Sequence, residues 1–194
     1  MPYITKSPSS GSPLYLLFDP VHLIKNIRNN WLTEKTQTLK FPSNGTQNQE
    51  RKFAKWSDLK ELCNIDATKD VRLSKLTKAT VCPSSMEKQK VSLVLNVFWD
   101  NTVAALQTSA FSTASWKDTA SFISMVLKLW KLLNCKTPVQ HIHKQDPHCI
   151  PIDNGEKGQK GLQKLIEWAN IASTMCCEER IRQYCFTKDT RIAL

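Results

Sequence analysis

The feature that most constrains this chain is a short apolar run that stops at an acid. Leu14-Tyr-Leu-Leu-Phe18 is continuous and apolar, which fits a buried strand. Asp19-Pro20 follows, and apolar residues then recur at Leu23, Ile24, Ile27 and Trp31. Those offsets of three and four put one apolar face on a helix. Asp19 suits the N-cap, where a carboxylate accepts from an unpaired backbone N–H of the first turn, and Pro20 is favoured at the first helical position. On position alone, capping is the commoner role for such an acid.

The rest of the chain reads mainly as helix. Residues 1–13 are polar and rich in Ser and Pro, so a frayed lead-in is expected. Residues 33–52 are polar, with a turn signal at Asn44-Gly45. Trp56-Ser-Asp-Leu-Lys-Glu-Leu62 predicts a short helix capped by Ser57, and 73–83 reads as irregular or mixed. One amphipathic helix is expected over 88–106, from apolar residues at 91, 94, 95, 98, 105 and 106. Ser115-Trp-Lys-Asp118 has the form of a capping box ahead of Phe122, Met125, Val126, Leu129, Leu132 and Leu133, with an end near Asn134. A loop over 138–161 then precedes a helix carrying Leu162, Leu165, Ile166 and Ala169 to about Ser173, and one more short helix is expected in the last twenty residues.

Composition narrows the class. Apolar residues make up 41% of 194, enough for a hydrophobic core. Lysines interrupt the longest apolar runs, which fall short of the ~20 residues of a membrane span. With no secretory pattern at the N-terminus, a soluble intracellular chain is expected. Lys and Arg outnumber Asp and Glu by 27 to 17, a net charge of +10, which suits a polyanionic partner or simply a solubilising surface. The basic residues Lys69, Arg72, Lys75, Lys78, Lys88 and Lys90 could form a DNA-facing strip, although a solvated face is commoner. Seven cysteines without a Cys-x-x-Cys pair read as reduced thiols. His141, His143, His148 and Cys149 match no tetrahedral zinc spacing. Trp56, Trp99, Trp116, Trp130 and Trp168 lie in apolar patterns and should pack in the core. There is no Gly-x-x-x-x-Gly-Lys-Ser/Thr phosphate loop.

The stretch Phe18-Asp-Pro-Val-His-Leu-Ile-Lys-Asn-Ile-Arg-Asn-Asn-Trp31 resembles a signature of P-element-type transposases, Phe-Asp-x-x-His followed by two hydrophobic residues, Lys-x-hydrophobic and Arg-Asn. Further elements follow in the family's order: Trp56 with Leu59, Lys75-Leu-Thr77, Met86 with Lys90-Val91, Val103-Ala-Ala-Leu106, and Leu129-Trp130-Lys-Leu-Leu-Asn134. The resemblance runs from about residue 14 to the end.

That resemblance implies a mostly α fold, with a helical insertion domain preceded by a β-strand–helix fragment of an RNase H-like core. Residues 1–13 would be the disordered lead-in, 14–52 the partial catalytic core, and 53–194 the GTP-binding-type insertion. Asp19 would be the second of three acids that hold divalent metal, Mg2+ in the family, to activate water or a 3′-hydroxyl. The first Asp should lie on an upstream strand and the third acid in a later Gln-Asp-x-Leu-Glu element. Neither Glu167 nor Glu178-Glu179 has that context, so the chain alone is expected not to cut or join DNA. Lys90 and Val91 align with a nucleotide-contacting pair, and Asn134 with a base-reading Asn; a solvated lysine and a helix-terminal Asn are the structural alternatives. The family often carries Asp three residues before that Asn, whereas Lys131 here cannot accept a hydrogen bond. GTP binding is therefore expected to be weak or absent. DNA is the partner and the nucleus the location that the resemblance implies, with no membrane role. The alternative is a non-catalytic, transposase-derived protein that holds DNA, nucleotide or another transposase copy through its basic helical domain.

Overall fold

The computed structural model describes residues 3–6, 9–11, 13–16, 19–34, 37–43, 51–108, 113–137, 139–146, 148–150 and 156–178. Two β-hairpins accompany a mainly helical body, in line with the expected class. β1 (Tyr3–Lys6) pairs antiparallel with β2 (Pro13–Leu16), in the register Tyr3 to Leu16 and Lys6 to Pro13. The segment expected to fray thus contributes a strand. Gly11 lies between the two at φ +68, a left-handed conformation that glycine adopts without steric cost.

α1 (Pro20–Leu32) begins where the sequence places it, with Asp19 as N-cap and Pro20 at N1. Its buried face carries Leu23, Ile24, Ile27 and Trp31. β3 (Thr38–Pro42) and β4 (Arg51–Lys55) then form a second antiparallel hairpin, from Thr38 opposite Lys55 to Pro42 opposite Arg51. This hairpin was not legible in the polar stretch 33–52, because only Leu39 and Phe41 mark its inner face. The position between 52 and 53 lies inside β4. The turn signal at Asn44-Gly45 lies outside the described residues.

α2 (Trp56–Ala67) is longer than expected, and Ser57 is not its cap. Lys55 occupies the N-cap without a side-chain bond, and the Trp56 N–H instead donates to the Gln37 carbonyl at 2.8 Å. α3 (Lys78–Val81) is one turn capped by Thr77, and a 3-10 turn (Glu87–Gln89) leads into α4 (Val91–Val97). α5 (Asp100–Thr108) follows. The single helix expected over 88–106 is therefore broken at Phe98 and Trp99. The buried Thr102 hydroxyl donates to the Asn96 carbonyl at 3.0 Å, satisfying a group freed by the interruption.

α6 (Ala114–Leu133) ends at Asn134 as predicted, but its N-cap is Thr113, which accepts from the Trp116 N–H at 3.3 Å. Ser115 and Asp118, the expected capping box, have other partners. Ser115 donates to Asp58 at 2.9 Å, and Asp118 lies 3.7 Å from Lys52. α7 (Gln140–His143) is a short turn within the expected loop, and α8 (Glu156–Glu178) starts earlier and runs further than the pattern suggested. The short helix expected at the C-terminus falls largely outside the described residues.

α6 is the central element, packing against α5, β4, α8, α1 and α2. The Trp31 ring meets Trp56 edge-on at 5.0 Å and Phe122 at 4.9 Å. Phe41 lies 5.6 Å from Phe122 and 6.4 Å from Trp168, which brings α8 onto the same cluster. The indole N–H groups are also used, Trp31 donating to the Ala54 carbonyl at 3.2 Å and Trp56 to the Val81 carbonyl at 2.9 Å. Beside this cluster Asp58 is buried and accepts from Thr119 at 2.6 Å, tying α2 to α6. Trp116 and Trp168 are buried as expected, Trp130 is half-buried, and Trp99 is exposed with the Lys75 ammonium 4.2 Å above its ring. Trp31→Ala should lower the unfolding free energy by about 3–5 kcal/mol in a urea titration, because a buried indole and its aromatic contacts are lost together.

Candidate functional site

Asp19 acts as the helix cap in this structure. One carboxylate oxygen accepts from the Val21 N–H at 3.0 Å, and the other is 3.7 Å from His22 Nε2. The side chain remains half-exposed, so it keeps lone pairs directed at solvent. No group of three or more His, Cys, Asp or Glu gathers in metal-holding geometry among the described residues. Asp19 alone does not make a two-metal centre, and the described residues do not by themselves fit one.

The segment carrying Lys90 and Val91 is held from below by α1. Arg28 Nη2 donates to the Lys88 carbonyl at 2.9 Å, a bond between residues 60 apart in sequence. Glu87 anchors the same turn by accepting from the Ser84 N–H at 2.8 Å; that bond, and the Ser84 hydroxyl, hold its pKa below the usual carboxylate value. Lys90 is exposed at the N-cap of α4, and Val91 opens that helix. Asn134 closes α6 through its N–H to the Trp130 carbonyl at 2.9 Å. Among the described residues, no hydrogen bond or ion pair links Lys90 or Val91 to Asn134.

One turn before Asn134, Lys131 sits between two carboxylates. Its ammonium lies 2.9 Å from both oxygens of Asp100, at the start of α5, and 2.7 Å from Asp146, in the loop after α7. Burial alone would lower the Lys131 pKa, but the hydrogen bonds to Asp146 and Asp100 outweigh it and raise the value. Burial would likewise raise Asp146, yet Lys131 and the His148 N–H at 2.9 Å hold it below the usual carboxylate range. His148 is lowered by burial and by Lys128. Sequence reasoning singled out Lys131 but missed Asp100 and Asp146. No local pattern marks them, because they join Lys131 only through tertiary contact.

Of the His-rich loop, Cys149 is buried and its carbonyl accepts from the Cys135 thiol at 3.1 Å. Cys63, Cys82, Cys135 and Cys149 are free thiols. Between α1 and α6 runs a shallow apolar groove lined by Leu23, Ile24, Ile27, Val126, Leu129, Trp130 and Leu133. No helix among the described residues is long and apolar enough to cross a membrane.

The mainly helical body with its two β-hairpins is the setting in which the comparisons place this chain among transposase insertion domains. Residues 21–146 match the family model of the TNP-like, GTP-binding insertion domain, and the chain belongs to that family. Among solved structures it is similar to the P element transposase of Drosophila in its strand transfer complex, at 17% identity and a TM-score of 0.57. That match covers 97% of this chain and 46% of the transposase chain, so the two share a fold over about half the larger protein's length. No curated protein sequence matches this chain.

The ion triad gives a signed pH dependence. Asp146 is depressed, so its contribution is present above the ordinary carboxylate pKa and is lost as pH falls through the lower folded value. Lys131 is raised, so its contribution is complete below the ordinary lysine pKa and is lost only in strong alkali. Asp146→Asn should cost about 1 kcal/mol near neutral pH, after solvent screening, seen as a melting temperature lower by roughly 2–4 °C. The gap between variant and wild type should close as pH falls below about 4. A gap of the same size at both ends would exclude the ion pair as its origin.

Proposed function

We propose that this chain is the part of a P-element-type DNA transposase that joins an RNase H-like core to its insertion domain. The observation that carries the reading is the match of 21–146 to the insertion-domain family, which begins within the first turn of α1, close behind the Asp19 cap. In this reading Asp19 is the second acid of a three-acid Mg2+ site. Its exposed oxygen supports that role, and capping by the other oxygen orients the carboxylate. Two acids must come from elsewhere in the fold, so this chain by itself does not cut or join DNA. DNA is the substrate class and the nucleus the place of action.

Guanine nucleotide binding is weak or absent in the same reading. Lys90, Val91 and Asn134 are the nucleotide-contacting candidates, with Lys90 suited to phosphate as a point charge. What opposes guanine recognition is Lys131, a donor-only side chain placed one turn before Asn134 and occupied by Asp100 and Asp146. A titration with labelled GTP should show no saturation in the low-micromolar range and no preference over ATP. Tight, guanine-selective binding would sink this part of the proposal.

A second reading is a non-catalytic, transposase-derived protein that holds DNA or a second transposase copy through its basic helical body. The net charge of +10 favours it. Duplex DNA affinity should then fall steeply with salt, roughly tenfold or more between about 50 and 200 mM. Affinity that does not change with salt would rule out a phosphate-reading surface.

A further inference from the structure

The end of α6 brings two free thiols together. Cys135 follows the C-cap Asn134, and its thiol is shared between the carbonyls of Thr137 at 3.3 Å and Cys149 at 3.1 Å. Cys149 lies 14 residues further along and is buried, whereas Cys135 is half-buried and open to a reagent. Both sides of the contact are held in place. Gln140 in α7 accepts from the Lys136 N–H at 2.8 Å, which fixes the chain just after Cys135. The Cys149 N–H donates to the Asp146 carbonyl at 3.1 Å, and the Asp146 carboxylate is 2.7 Å from Lys131, about one turn before Cys135. With the Cys135 sulfur on the main chain of Cys149, the second sulfur is one short side chain away. A disulfide joins Cα atoms about 4.4–6.8 Å apart, a span of the same order as that contact.

We infer that Cys135 and Cys149 form a redox-modification site, at which a low-molecular-weight disulfide such as oxidised glutathione produces an intramolecular disulfide that fastens the turn of Cys149 to the end of α6. The Cys135 thiolate attacks one sulfur of the oxidant, forming a mixed disulfide and releasing one glutathione thiol. The Cys149 thiolate then attacks the Cys135 sulfur and expels the second glutathione thiol. The protein thiols give up two protons and two electrons, and the oxidant is reduced to two thiols. In the reduced chain, the Lys131–Asp146 pair and the thiol hydrogen bond hold the turn. Oxidation adds a covalent tie that neither acid nor salt releases, and it keeps Asp146 on Lys131 beside Asn134.

Peptide mapping of the whole chain, before and after incubation with oxidised glutathione at neutral pH, tests this. A non-reducing digest should contain the Cys135 and Cys149 peptides joined and lighter by two hydrogen atoms, in a chain that stays monomeric on a non-reducing gel. The melting temperature should rise by about 4–8 °C on oxidation and fall back with dithiothreitol. Cys135→Ser, which keeps a donor for the Cys149 carbonyl, should remove both the link and the rise. If that variant does not fold, the map of the unmutated chain decides alone. Cys135 left as a thiol or as its glutathione adduct, or joined to any cysteine other than Cys149, overturns the site. So does a rise in melting temperature that survives Cys135→Ser. A Cys135–Cys149 link that leaves the melting temperature unchanged defeats the claim that it fastens the turn.

Discussion

The contact on which the rest of this structure depends is the edge-on meeting of Trp31 with Trp56 and Phe122. These three side chains come from α1, the start of α2 and the middle of α6, so one cluster fixes the mutual positions of three helices. Large aromatic surfaces supply most of the burial, and their edge-to-face geometry restricts how the helices can rotate about one another. Each indole N–H also reaches a backbone carbonyl, in β4 for Trp31 and at the end of α3 for Trp56. The hydrophobic core and the strand and helix termini are thereby locked together.

The functional features follow from that packing. α1 carries Asp19 at one end and Arg28 on its inner side, and its docking against α4 and the 3-10 turn brings Arg28 under Lys88. α5 against α6 carries Asp100 to Lys131, and the loop after α7 closes the pair with Asp146. At the α6 end the exposed Asp100 and the half-buried Asp146 are thus held in internal pairing with Lys131.

Much of this was legible in the residues themselves. Asp19-Pro20 followed by apolar residues at helical spacing predicted α1 and its cap, because helix starts are written locally: one side chain meets one free N–H of the next turn. The end of α6 at Asn134 and the mainly helical class were equally local readings. The errors were also physical. Residues 88–106 look periodic, yet the run breaks at Phe98 and Trp99, and the Thr102 hydroxyl takes up a carbonyl freed there. Ser115 and Asp118 have the spacing of a capping box but serve Asp58 and Lys52, since Thr113 takes the cap.

By itself the sequence determined the helix faces, the capped Asp19, the basic balance and the order of motifs that marks the family. Each depends on residues within a few positions of one another, or on simple addition of charge. Only the tertiary structure decided the β3–β4 hairpin, the Asp100–Lys131–Asp146 pairing and the isolation of Arg28. These rest on partners between 9 residues apart (Pro42 and Arg51) and 60 apart (Arg28 and Lys88), and no spacing rule encodes a contact that forms only when the core closes.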